Sequence, residues 1–278
     1  MKGWTFAFEK RWLGYLALVV VFAVGCTLLS MWQLARRDEA RAEISRVENN
    51  WESAPVAIDE VLGGLDEFDP DDTWTSVRVT GRYLTDSELL ARGRPNGGRP
   101  GFEQLVPFQV DGGAVFVIDR GWLPVGNEQD APDAVPPPPS GTVTVVARVK
   151  AGEPTVPGRS APAGQIATIH LPDIADRVGQ PTYTGAYGLL TSEEPAVDRP
   201  MAVSKPVADE GPHLSYAFQW LVFGVMAFIG LGWAIRQEYR FRNADDPEER
   251  ERALKRREKA AAKPASDAEI EDALLDRR

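Results

Sequence analysis

Two long apolar runs constrain this chain more than any other feature. The first covers residues 12–34, WLGYLALVVVFAVGCTLLSMWQL, and the second covers residues 213–235, where His213 is followed by LSYAFQWLVFGVMAFIGLGWAI. Neither contains Asp, Glu, Lys or Arg. A helix needs about 20 such residues to cross a hydrocarbon core, and a buried soluble helix is rarely apolar all round for so long. The expected fold class is therefore a membrane protein, with two transmembrane α-helices flanking a mainly antiparallel β (α+β) extracytoplasmic domain. Lys10 and Arg11, the apolar stretch and Ala23-Val24-Gly25-Cys26 also have the outline of a lipoprotein signal. The residues after Cys26 stay mostly apolar where a tether would be polar, which favours a buried cysteine inside a span. One cysteine forbids an intrachain disulfide, and with only two histidines no zinc site can be built from Cys and His alone.

The charge divides along the same lines and orients the chain. Residues 36–212 hold 16 Lys/Arg against 28 Asp/Glu, a net −12, whereas residues 236–278 hold 12 of each. Arg236, Arg240, Arg242, Arg250 and Arg252 follow the second run, against Arg199 and Lys205 shortly before it, which places the C-terminus in the cytoplasm. Two spans return the N-terminus to the same side. The expected organisation is a cytoplasmic N-terminus (1–11), a span (12–34), an extracytoplasmic β-rich domain (35–212), a second span (213–235) and a charged cytoplasmic tail (236–278). No Arg-rich, acid-poor presequence precedes the first run, so a bacterial plasma membrane is the expected location. An acidic domain also excludes nucleic acid as a main partner.

Helix is expected to continue through RRDEARAEISRVENNW to about Asn50. Strand-like runs then alternate with Gly/Pro/Asp turns: 76–83, 88–91, 103–109, 114–119, 142–149, 166–171, 183–190 and 202–204. Residues 172–178 suggest one short helix. Four consecutive prolines make 127–141 an extended loop. In the tail, Asp246-Pro247 resembles a helix start, and Ser266 with Glu269 a capping box opening a second helix.

Enzymatic chemistry finds little support. The near-neutral bases are His170 and His213, the thiol lies in a span, and no nucleophile elbow, phosphate loop or HExxH motif occurs. The expectation is that the chain is not an enzyme. Polar and aromatic groups do gather at the outer ends of both runs: Trp32, Gln33, Arg36 and Arg37 on the first, His213, Tyr216, Gln219 and Trp220 on the second. Helical spacing puts His213, Tyr216, Ala217 and Trp220 on one face, and Gly25, Leu29, Trp32 and Arg36 on another. An interfacial aromatic belt explains the rings by themselves. Polar groups at membrane depth are costly, however, and tend to mark function.

Three motifs in register carry a resemblance. Gly25…Trp32-Gln33-Leu34-Ala35-Arg36 is similar to the end of the first span in the Surfeit-locus protein family of cytochrome c oxidase assembly factors. Val117-Ile118-Asp119-Arg120-Gly121-Trp122-Leu123-Pro124 resembles that family's RGWVP motif, with Leu123 in place of the commoner Val. Pro212-His213-Leu214-Ser215-Tyr216-Ala217-Phe218-Gln219-Trp220 resembles its HLxYAxQW start of the second span, and Gly81, Gly101-Phe102 and Pro107 also fit. The resemblance implies a biogenesis factor, or chaperone, for haem–copper oxidases that binds haem a transiently and assists its insertion into the catalytic subunit. It implies His213 as the haem-iron ligand. Tyr216, Gln219, Trp220 and Trp32 would line the haem, and Arg36 or Arg37 would meet its propionates. Cytochrome c oxidase subunits or a respiratory supercomplex, with the lipid bilayer, are the implied partners. The alternative is a stable accessory subunit of an oxidase or supercomplex that binds no haem. Arg120, Gly121 and Trp122 have two readings, a partner contact or a structural bend and anchor.

Overall fold

In the computed structural model, residues 3–127, 130–207 and 209–261 are described. The chain forms two compact units, Met1–Asp38 with Gly211–Arg278, and Glu39–Glu210.

The first unit is built on helices. Helix α1 runs from Lys10 to Asn50, so its last turns belong to the second unit. No proline interrupts it, and Pro55 lies just beyond its end. The next helix of this unit, His213–Arg242, begins directly after Gly211-Pro212 and ends with Arg240 and Arg242 in its last turn, where cations suit the helix dipole. It is α3 in chain order, α2 belonging to the second unit; α4, Pro247–Ala261, follows it. Both α1 and α3 are long and apolar enough to cross a membrane, and their apolar stretches are almost bare of protein cover.

These two helices meet along a narrow seam. Ala23, Cys26, Ser30, Gln33 and Arg37 are the covered positions along one stripe of α1; on α3 they are His213, Ala217, Trp220, Gly224 and Ala227. Both sets alternate steps of three and four, the spacing of a coiled-coil seam. At the other end, Trp4 of a short 3-10 turn stacks on Tyr239 at 4.2 Å between ring centroids. There Arg11 pairs with Glu238 at 2.9 Å and Arg242 with Glu9 at 2.8 Å.

The second unit is β-rich. Its strands are β1 (Val56–Ala57), β2 (Ser76–Tyr83), β3 (Leu89–Arg92), β4 (Gly101–Val110), β5 (Val115–Pro124), β6 (Val143–Ala151), β7 (Gln165–Ile166) and β8 (Ala186–Glu194), with α2 (Leu171–Val178) before the last strand. Strands β2, β6, β8, β5 and β4 pair in that order and β4 pairs back to β2, closing a five-stranded barrel. The β5–β8 pair is parallel and the other four barrel pairs are antiparallel. At the closing seam a Cβ on Gly81 would lie 1.9 Å from the Gln109 carbonyl oxygen, so only glycine permits that approach. Val77, Val79, Phe108, Phe116, Ile118 and Val145 are among the residues of one core cluster. A second cluster joins Val47 of α1 and Trp51 just after it to Leu105, Val117, Ile169 and Ile174. Every residue of β5 except Pro124 is buried, and this strand supplies both clusters.

Several expectations shift. Strand β5 does not stop at Asp119 but runs through Arg120-Gly121-Trp122, because both charges are bonded inside the domain. Of the run 166–171 only Ile166 is in a strand, since Pro172 and the His170 cap turn Leu171 into α2. Strand β8 begins at Ala186, not Tyr183, because the backbone N–H groups of Thr184 and Gly185 donate to the Leu65 carbonyl. Residues 202–204 form no strand; Met201 alone bridges to Trp122. The helix placed at Ser266 falls outside the described residues.

Candidate functional site

The helix-pair unit brings His213 and Gln33 together. His213 Nδ1 lies 2.8 Å from Gln33 Oε1 at the end of the α1–α3 seam. The direction of this bond follows the ring's tautomer: with the proton on Nδ1 the imidazole donates to the amide oxygen and Nε2 keeps its lone pair. Gly211, at φ +66, stands beside that nitrogen, and a Cβ there would come within 3.3 Å of Nε2. A glycine suits this turn both by its positive φ and because a Cβ would press on the ring.

The other expected site residues divide. His213 and Trp220 share the covered face of α3 with Ala217, and Trp220 meets Phe223 edge to face at 5.9 Å. Tyr216 and Gln219 are exposed, off that face. On α1 the covered face passes through Gln33 and Arg37, whereas Trp32 and Arg36 lie on the open side, the guanidinium 5.9 Å from the indole centroid. The covered stripe of α1 is thus rotated from the Gly25–Leu29–Trp32–Arg36 face suggested by helical counting alone. Sequence reasoning named Gln33 only as a neighbour of the site. The available signal was its place seven residues after Cys26 on a three-and-four spacing.

The Arg120-Gly121-Trp122 segment is built into the barrel domain. Arg120 is fully buried; its Nη2 pairs with Glu193 at 2.7 Å, and its Nη1 donates to Gln104 Oε1 at 3.0 Å and to the Pro136 carbonyl at 2.8 Å. The Tyr83 hydroxyl donates to the other Glu193 oxygen at 2.7 Å. Burial and the neighbouring Glu193 carboxylate push the Tyr83 phenol far up, so it stays a donor. Arg120 thereby ties the proline-rich strap to strands β4, β5 and β8. Gly121 has φ +133, and a Cβ on it would meet the Met201 carbonyl oxygen at 2.5 Å. Trp122 exchanges backbone hydrogen bonds with Met201, and its indole N–H donates to the Arg94 carbonyl. The segment thus continues strand β5 rather than bending after it, and Trp122 holds the backbones of Met201 and Arg94.

A second polar group lies outside the barrel wall. Asp119 is fully buried; one carboxylate oxygen accepts from Gly121 N–H at 2.9 Å, and the other has no hydrogen-bond partner among the described residues. Burial first, and the Glu103 charge second, hold this carboxyl well above the usual range. Arg94 pairs with Glu103 and with Glu153, each at 2.8 Å. Nothing here assembles a nucleophile with a base. Among the described residues no group of three His, Cys, Asp or Glu side chains is placed to hold a metal ion.

These features define a class: a β-barrel domain whose sequence lies between those of two long apolar helices, with one imidazole at the head of the helix seam. The pattern of the SURF1 family matches residues 20–225, and the chain belongs to that family. It is 34% identical over 279 residues to proteins described as uncharacterized SURF1-like in Mycobacterium bovis and in two Mycobacterium tuberculosis strains, covering 98% of this chain and 97% of each relative. The SURF1 family is known generally as one of cytochrome oxidase assembly factors, not as an enzyme class.

Proposed function

We propose that this protein is a bacterial plasma-membrane assembly factor for cytochrome c oxidase, and that His213 receives haem a in transit to the catalytic subunit. In this reading α1 and α3 span the bilayer and the barrel domain stands on the extracytoplasmic side. The observation that carries it is the His213–Gln33 pair at 2.8 Å, in which a ring protonated on Nδ1 donates to the amide oxygen and keeps Nε2 as a lone-pair donor. A neutral imidazole whose second nitrogen donates to an oxygen is the state in which histidine ligates a metal.

Haem a is the cargo, and its iron accepts an axial imidazole. The residues of this chain hold and orient it. His213 supplies the ligand nitrogen, while Trp220, Tyr216, Gln219 and Trp32 offer aromatic and amide surface at the same end of the helices. Arg36 and Arg37 supply cations for the propionates. Lipid around the exposed helix faces would take the isoprenoid tail. The barrel domain, with its net negative charge, is the part that meets oxidase subunits.

The test is a pulldown of the full-length protein from native membranes of a haem-a-producing host, with a difference spectrum on the eluate. Enrichment on immature catalytic subunit, with a haem a signal that His213→Ala removes, is expected. Stoichiometric recovery with mature oxidase and no haem would instead identify an accessory subunit.

A further inference from the structure

We infer that Gln33 is a positioning residue for His213: it fixes the Nδ1–H tautomer and so presents Nε2 as the electron-pair donor. Its use toward haem rests on the function proposed above, but the tautomer assignment stands without it.

Three observations converge on Gln33. It lies on the covered stripe of α1 in line with Cys26 and Ser30, so its side chain is turned toward α3. A carboxamide at the end of an apolar seam is costly unless bonded, and its hydrogen-bond partner is the His213 ring at 2.8 Å. With the amide oxygen facing the ring as acceptor, the bond favours the tautomer that carries its proton on Nδ1. Gly211 stands beside Nε2, where a Cβ would come within 3.3 Å of that nitrogen. An outer partner that sets tautomer and ring orientation is what a ligating histidine ordinarily has. Here it is supplied by a different helix, so α1 and α3 must pair before His213 is set.

The chain has two histidines, which makes the ring directly observable. Full-length protein with 15N-histidine, in lipid nanodiscs at a pH above the ordinary imidazole value of about 6.5, gives separate nitrogen signals, and His170→Asn removes the other ring. His213 is expected to show a protonated Nδ1 and an unprotonated Nε2. Gln33→Leu should yield a tautomer mixture, whereas Gln33→Glu, which keeps an acceptor oxygen, should preserve the pattern. A wild-type ring protonated on Nε2, or a Gln33→Leu ring unchanged from wild type, would overturn the inference. A parallel titration with haem a separates the two ideas. If His213 is the ligand, Gln33→Leu should weaken binding about 10- to 100-fold and Gln33→Glu much less. Wild-type affinity in His213→Ala would end the haem reading while leaving the tautomer result intact. Wild-type affinity in Gln33→Leu, with binding lost in His213→Ala, would end the positioning role alone.

Discussion

A fully buried guanidinium is tolerated only where its charge and donors are met. Arg120 meets Glu193, Gln104 and the Pro136 carbonyl through its two Nη groups, while its Nε has no partner among the described residues, so Arg120→Met should leave Glu193 buried beside Tyr83 without its cation. A loss of about 3–5 kcal/mol in denaturant unfolding of the detergent-solubilised chain is expected. Adding Glu193→Gln should recover part of it; equal stability of Arg120→Met and wild type would remove the pair from the structural account. Asp119 makes a separate prediction. Its folded-state carboxyl is raised above the unfolded value, so the folded domain binds more protons, and stability falls as pH rises between the two values. The slope in that window is about 1.4 kcal/mol per pH unit. Glu103, also raised by burial, acts in the same direction, and Glu153, lowered by the Ile169 N–H and Arg94, acts in the opposite one. Asp119→Asn should flatten the fall from pH 4 upward in thermal melts, and an unchanged profile would show that Asp119 is not the group titrating.

At the scale of elements, the helix seam permits a sharper check. An ideal Cβ on Gly224 lies 3.7 Å from the Cβ of Cys26, inside the usual disulfide span of about 3.5–4.5 Å. Gly224→Cys should therefore oxidise to an intrachain disulfide with the chain's own cysteine, read by mass spectrometry as a loss of two hydrogens. Failure to close under mild oxidant would refute this register. The two apolar helices were legible because apolar length is a one-dimensional property, and β2 was legible because SVRVTGRY alternates faces. Strand β5 was cut short because Asp119 and Arg120 look like a turn when their partners, Glu193, Gln104 and the Gly121 N–H, are far away in the chain or local only after folding. Strand β8 shifted for a similar reason: Leu65 holds the backbone of Thr184 and Gly185. His213 was legible as a lone imidazole at a span end. Its dependence on Gln33 was not, since the choice of the covered face on α1 is made by packing against α3.

For the whole molecule, the charge split and the helix-pair geometry are the basis of the proposed topology. Within the helix unit the first turns of α1 and the last turns of α3 are joined by Arg11–Glu238 and Arg242–Glu9, so both chain ends leave on one side of that pair. Arg236, Arg240 and Arg242 lie at that end, and the rule that retains basic residues in the cytoplasm assigns it there. In the proposed topology residues 36–212, net −12, are the part that faces outward. A periplasmic alkaline phosphatase fused after residue 205 should be active and a fluorescent protein fused after residue 261 should glow. Exchanging the two reporters should silence both. Reversing the bias, with Arg236, Arg240 and Arg242 changed to Glu, should lower the fluorescent fraction, because α3 then loses the charges that hold its end inside. An active phosphatase after residue 261 in the unaltered chain would invert the orientation, and with it the side of the membrane on which His213 waits.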